Sequence, residues 1–197
     1  MFNHFQNTVT GWPGGKPGAD DSTRPERKSP NSKRVIIFSP HPDDDVVSMG
    51  GTFDRLVSQG HKVHIAYQVK GNIAVSDHDA LKFIEVSKDM FKNDSKVLVS
   101  ELIKELKNNK PDKIDSQAVR DLKGFIRKRE AIAATRYFGI PDSNTHFMNL
   151  PFYNTGRIKK NPPTKKDVLI TASLIKKIKP HQIFAAGDLE DPHGTHK

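Results

Sequence analysis

The sequence predicts an α/β fold, a three-layer α/β/α Rossmann-like open parallel sheet. Two observations carry this. Four short apolar runs, the first of them β-branched, alternate with stretches of helical period, and alternation of that kind implies parallel strands joined by right-handed crossovers with helices on both faces. Polar clusters rich in His and Asp directly follow the first and last of those runs, where an open α/β sheet presents its ligand crevice. No internal repeat is present.

The elements follow in order. "RVIIFS", from Arg34, is the first strand, and "SMGGTFDRLVSQG" is a helix in which Phe53, Leu56 and Val57 sit at helical spacing and Gly60 supplies a stop. "KVHIAYQV" is the second strand. From Asp79 to about Gly139 the pattern is helical: Leu98, Leu102 and Leu106 share one face, as do Ala118, Leu122, Phe125 and Ile126. Much of this stretch, from about 76 to 128, is read as a helical insertion. "HFMNL" is the third strand. Thr164 with Asp167 reads as a capping box, after which Val168, Thr171, Leu174, Ile175 and Ile178 line one face. "HQIFAAG" is the fourth strand. Ahead of all this, "GWPGGKPGADDSTRPERKSPNSKR" is rich in Pro, Gly and charge and has no hydrophobic period. Residues 1–33 are therefore expected to be an extended arm or interdomain linker, and 34–197 the domain.

Composition excludes several function classes. The 197 residues carry 32 Lys and Arg against 23 acids, a net charge of +9. A basic chain invites a nucleic-acid reading, but the lysines lie mostly at outward helical positions and in loops, and no aromatic-interleaved pattern accompanies them. No nucleic-acid partner is expected. The absence of cysteine removes disulfides, thiolate metal sites and a Cys nucleophile, and fits a reducing, cytoplasmic compartment. The first residues lack the basic start and apolar core of a signal peptide, and no run approaches the ~18 apolar residues of a membrane span.

The chemistry is concentrated in "HPDDD", residues 41–45, and in "DPHGTH", residues 191–196. Both follow predicted strands and should meet on one sheet edge, bringing His41, Asp43, Asp44, His193 and His196 together. Adjacent aspartates are costly to ionise in a crevice unless a cation or strong donors compensate them. His-x-x-Asp and His-x-x-His supply the ligand types of a hydrolytic zinc site. Blander readings exist for each piece. The aspartates could cap a helix N-terminus, "HGTH" could be a solvated loop, and Arg127 with Glu130 could be a surface i,i+3 ion pair. His61, His64, His78, His146 and His181 show no partner spacing and are read as structural.

His41-Pro42-Asp43-Asp44 after a strand, the following "GGT", the helix "RKREAIAATRYFGI" and the late Asp-x-His-x-x-His together resemble the PIG-L or LmbE-like N-deacetylases. The resemblance implies a zinc hydrolase that removes an acetyl group from an N-acetylglucosamine-type amino sugar or conjugate. It implies that His41, Asp44 and His196 hold Zn²⁺ and that Asp43 is the general base for the attacking water. His193 would stabilise the tetrahedral intermediate or protonate the leaving amine, and Arg127 and Asp191 would contact substrate. Asp45 stands where the family usually has Glu, and Thr195 where it often has Asp. Members of the family continue beyond the second motif, so the domain is expected to be truncated at its C-terminus. The leader is similar to the segment joining a glucosamine-6-phosphate deaminase-like domain to a PIG-L-type domain, which implies such a domain as an N-terminal partner. The alternatives are a metal-dependent phosphoesterase, which usually needs two bridged metals, and a non-catalytic carbohydrate-binding or interaction module.

Overall fold

The structure, a computed structural model, describes residues 32–90, 96–109, 113–155, 159–187, 190 and 196. The expected arm, apart from its last two residues, lies outside them. The chain runs β1 (Arg34–Ser39), α1 (Asp44–Ser58), β2 (Lys62–Tyr67), α2 (Asp77–Met90), α3 (Lys96–Lys107), α4 (Gln117–Tyr137), β3 (Thr145–Phe147), α5 (Lys165–Ile178) and β4 (Gln182–Ala185). The strands form one parallel sheet in the order β3-β2-β1-β4.

Because successive strand residues point to opposite faces, a strand covered on both sides must be apolar between its ends, and β1 is from Val35 to Phe38. Val35 and Ile37, with Val63, Ile65 and Tyr67 of β2, pack against Phe53 and Leu56 of α1 and Ala131 of α4. Ile36 and Phe38, with Ala66, face Leu174, Ile175 and Ile178 of α5. Three layers result, as expected. The chain winds from β1 through β2 to β3, then returns to place β4 on the other side of β1. Right-handed crossovers running in opposite directions put α1 and α4 on one face and α5 on the other. The winding reverses between β1 and β4, and that is the switch point where such sheets hold ligands.

The long helical stretch divides into α2, α3 and α4. Leu102 and Leu106 enter a second core with Ile84, Val119 and Ile126, whereas Leu98 is exposed. Phe125, expected inside with Ile126, is 63% exposed. One residue turns the helix by about 100°, which carries Phe125 off the buried stripe. Val168 is 62% exposed for a similar reason. Only the later turns of α5 cross the sheet, while its first turn is held by Asp167, which accepts hydrogen bonds from the backbone N–H of Thr164 (2.7 Å) and of Phe152 (3.0 Å).

A polar hub ties the α2–α3 pair to α4. The buried Lys123 Nζ donates to Asp77 Oδ1 (2.6 Å) and Asp115 Oδ2 (2.7 Å), and Asn109 donates to both carboxylates. Burial disfavours the charge on Lys123, but the two acids outweigh it and hold its pKa above the ordinary lysine value. Burial likewise opposes ionisation of Asp77, and hydrogen bonds from Lys123 and Asn109 reverse the balance, so its pKa lies below the usual range. Lys123→Ala leaves two carboxylates facing each other and should cost about 3 kcal/mol in urea denaturation, the low end for a buried pair because Asp77 is partly open to solvent. Asp77 contributes stability above its unfolded pKa and loses it as pH falls through its lower folded value. The gap between wild type and variant should therefore narrow in acid.

Candidate metal centre

The loop after β1 leads directly into α1, which begins at Asp44, four residues before the helix expected from sequence. Each of the three aspartates takes its own direction. Asp43 occupies the N-cap position, yet its side chain caps nothing. Its Oδ2 lies 2.7 Å from Arg127 Nη2. Asp44 Oδ2 accepts the backbone N–H of His41 (2.7 Å) and lies 3.2 Å from His41 Nδ1 and 3.3 Å from His196 Nε2. Asp45 turns into the core, where it is 1% exposed and accepts the Tyr67 hydroxyl (2.9 Å), with Ser39 Oγ at 3.2 Å. Capping of a helix N-terminus thus does not account for the triplet.

Electrostatics follow these partners. Burial raises the pKa of Asp44, but hydrogen bonds from the His41 side chain and backbone and the nearby charges of His41 and His196 outweigh it, leaving the carboxyl below its ordinary value. Burial dominates at Asp45 and pushes its pKa up in spite of the Tyr67 and Ser39 hydrogen bonds. Tyr67, facing that carboxylate in a buried position, is raised as well.

His41, Asp44 and His196 form a group able to hold a metal ion. His41 and His196 are 155 residues apart in sequence, yet Nδ1 of the first lies 3.1 Å from Nε2 of the second. Ligand atoms at ~2.0–2.2 Å from one tetrahedral ion stand about 3.3–3.6 Å from one another, so the observed separations need only slight expansion to suit zinc. Two imidazoles and a carboxylate are also the donor set this ion favours.

Arg127 differs from the surface pair expected of it. It does meet Glu130 (3.1 Å), but its side chain is only 17% exposed and its second nitrogen reaches Asp43. Burial opposes its charge, while Asp43 and Glu130 together raise its pKa above the arginine norm. Gly71 sets the distance between β2 and this loop. Its φ is +64°, and a Cβ there would stand 2.8 Å from Pro42 Cδ.

Tyr153 and Lys160 escaped the sequence reading. The Tyr153 ring meets His41 edge-on at 6.1 Å between centroids, and Lys160 Nζ lies 3.8 Å from the Tyr153 centroid. Burial pushes the Tyr153 hydroxyl up to about 12. The available signal was position, since "PFY" follows β3 on the edge where the metal loop lies. His64 and His146 also find partners, each other: their nitrogens are 3.1 Å apart and their rings stack, and burial followed by the charge of His146 takes His64 down to about 4. His193 and Asp191 lie outside the described residues.

A family described as PIG-L, GlcNAc-PI de-N-acetylase, matches residues 36–197. The chain belongs to the PIG-L family. The match spans both polar loops and places the chain among de-N-acetylase-type proteins. A Bacteroides thetaiotaomicron protein described as glucosamine-6-phosphate deaminase-like is 53% identical over 204 residues, and the chain spans 31% of its length. N,N'-diacetylchitobiose deacetylase from Pyrococcus horikoshii superposes with a TM-score of 0.52 at 17% identity, covering 99% of this chain and 52% of that one. At that identity the likeness shows the fold. Among the described residues no helix is long and apolar enough to cross a membrane.

Gly71→Ala should displace Pro42 and with it the His41–Asp44 loop, because the added methyl meets a ring carbon and the left-handed backbone costs about 1 kcal/mol for a non-glycine residue. Chelator competition with an added divalent metal should read roughly tenfold weaker binding in the variant with unchanged far-UV circular dichroism, a loss of ~1.4 kcal/mol.

Proposed function

We propose that this chain is a zinc-dependent N-deacetylase that removes an acetyl group from an N-acetylglucosamine-type sugar or its conjugate. The observation that carries the reading is the convergence of His41, Asp44 and His196 at the switch point with Asp43 beside them but turned elsewhere. Family membership supports the reaction class, and the deaminase-like relative supports amino-sugar metabolism as the setting. We assign the deaminase-like part of such a longer polypeptide as the partner domain.

Zinc held by His41, Asp44 and His196 would supply Lewis acidity toward the amide carbonyl and toward water. The protein's own groups divide the remaining work. Asp43, half exposed and outside the candidate ligand group, would take a proton from the water that attacks the carbonyl carbon. Arg127 fixes the direction of that carboxylate through the 2.7 Å contact. As the carbon–nitrogen bond breaks, the amine leaves with a proton, a role proposed for His193. Tyr153 closes the side of the site next to His41.

Two substitutions separate ligand from base. Asp44→Asn should lose metal and activity together, because a neutral amide is a poor zinc ligand. Asp43→Asn should keep zinc near the wild-type content by elemental analysis while release of amine from an N-acetylglucosamine derivative falls by ~10²- to 10⁴-fold. An Asp43→Asn protein empty of metal, beside a metal-replete Asp44→Asn protein, would reverse the two assignments.

A further inference from the structure

At the sheet edge opposite the candidate metal centre, where the strands begin, a cleft of about 410 Å³ lies between the end of α1, the start of β2 and the turn leading from α4 to β3. His61, Lys62 and Ser143 belong to its polar lining, and Val57, Ile140 and Pro141 form an apolar wall. A volume of this size falls within the range that takes small organic ligands. Helix α1 has Asp44 as its first residue and Val57 in its last turn, so on the order of 20 Å of helix separates the cleft from the metal loop.

His61 is 6% exposed and has one polar atom to spare. Its Nδ1 accepts the backbone N–H of Lys33 (3.1 Å). In the neutral ring the proton then sits on Nε2, and that buried N–H finds no acceptor among the described residues. Leaving a buried donor unmatched is unfavourable, so an acceptor from outside the chain has something to gain here. The charge around it is just as one-sided. Lys33 is buried, its charge reaches His61, and Lys62 stands exposed in the lining. Neither lysine makes an ion pair among the described residues. Asp142, the acid of the turn, is already engaged by Arg136, whose Nε and Nη2 hold its two oxygens. Burial lowers the pKa of both Lys33 and His61, as it does for cations that lack a counter-charge.

We infer that this cleft is a second binding site, taking an organic monocarboxylate with a compact apolar body, such as an aromatic acid. One carboxylate oxygen accepts from His61 Nε2, the other meets the Lys62 ammonium, and the body lies on Val57, Ile140 and Pro141. A metal ion does not suit the cleft, because its lining holds no carboxylate and a lysine faces the space. A free inorganic anion matches the cations but leaves the apolar wall unused. The site shares no residue with the candidate metal centre, so it stands apart from the deacetylase reading.

The test is a titration of the full chain with benzoate, followed by nuclear magnetic resonance at the backbone amides of Gly139 and Ser143. Phenanthroline, a neutral chelator, keeps the carboxylate from binding to metal. Benzoate should bind at least about tenfold more tightly than benzamide, which lacks the charge, or acetate, which lacks the ring. His61→Asn keeps an acceptor for the Lys33 N–H but removes the Nε2 donor, and should weaken benzoate binding by about tenfold, the loss of one charge-assisted hydrogen bond. Lys62→Glu, at an exposed position that folding tolerates, should weaken it by about tenfold as well, since a carboxylate then faces a carboxylate. Unchanged thermal unfolding checks that each variant is folded. Benzamide or acetate binding as tightly as benzoate, wild-type affinity in either folded variant, or shifts confined to the metal loop overturns the proposal.

Discussion

Three carboxylates on successive residues repel one another if they share one space. The start of α1 prevents this by turning each side chain about 100° from the last. Each then finds its own compensation: an arginine for Asp43, two imidazoles and a backbone amide for Asp44, a phenol and a serine for Asp45. The rest of the site depends on that divergence. Asp45 pins the loop to β2, and only because it is pinned do Asp44 and His41 present their atoms at a fixed place. Asp43 is left beside the ligand group without joining it.

Much of the architecture was legible because the hydrophobic period is local. β1 falls where its β-branched run lies, and the meeting of the first and last loops follows from parallel strands alone. What escaped depends on side-chain direction between distant elements. The i,i+3 spacing of Arg127 and Glu130 correctly names one contact of the arginine and hides the other, which comes from a residue 84 positions earlier. His64 and His146 have no sequence spacing that marks them, because the register of β2 against β3 is what stacks them. The exposed Phe125 differs from a core phenylalanine by a single helical step, finer than a periodicity argument resolves.

Helix α4 links two parts of the molecule that otherwise have little in common. Its first half is fastened to the α2–α3 pair by Lys123, and one turn later it delivers Arg127 to Asp43. Its second half packs on the sheet through Ala131. The buried hub therefore bears on the candidate centre indirectly, by holding the helix at the angle from which the guanidinium reaches the loop. A segment that contributes no ligand still sets the geometry of the centre.

The reversal of winding also has a kinetic side. β1 meets β2 across a separation of 28 residues and β4 across 147. Closing the longer loop costs about 1.5 kcal/mol more chain entropy, on the (3/2)RT ln n scaling, so pairing of β4 is the more expensive and slower step. The two halves of the centre thus have different histories. His41, Asp43, Asp44 and Arg127 are held by contacts that do not involve β4, while His196 arrives with the strand that docks at greatest entropic cost. Transient fraying of that edge would separate His196 from His41 and Asp44 and leave the Asp43–Arg127 pair in place.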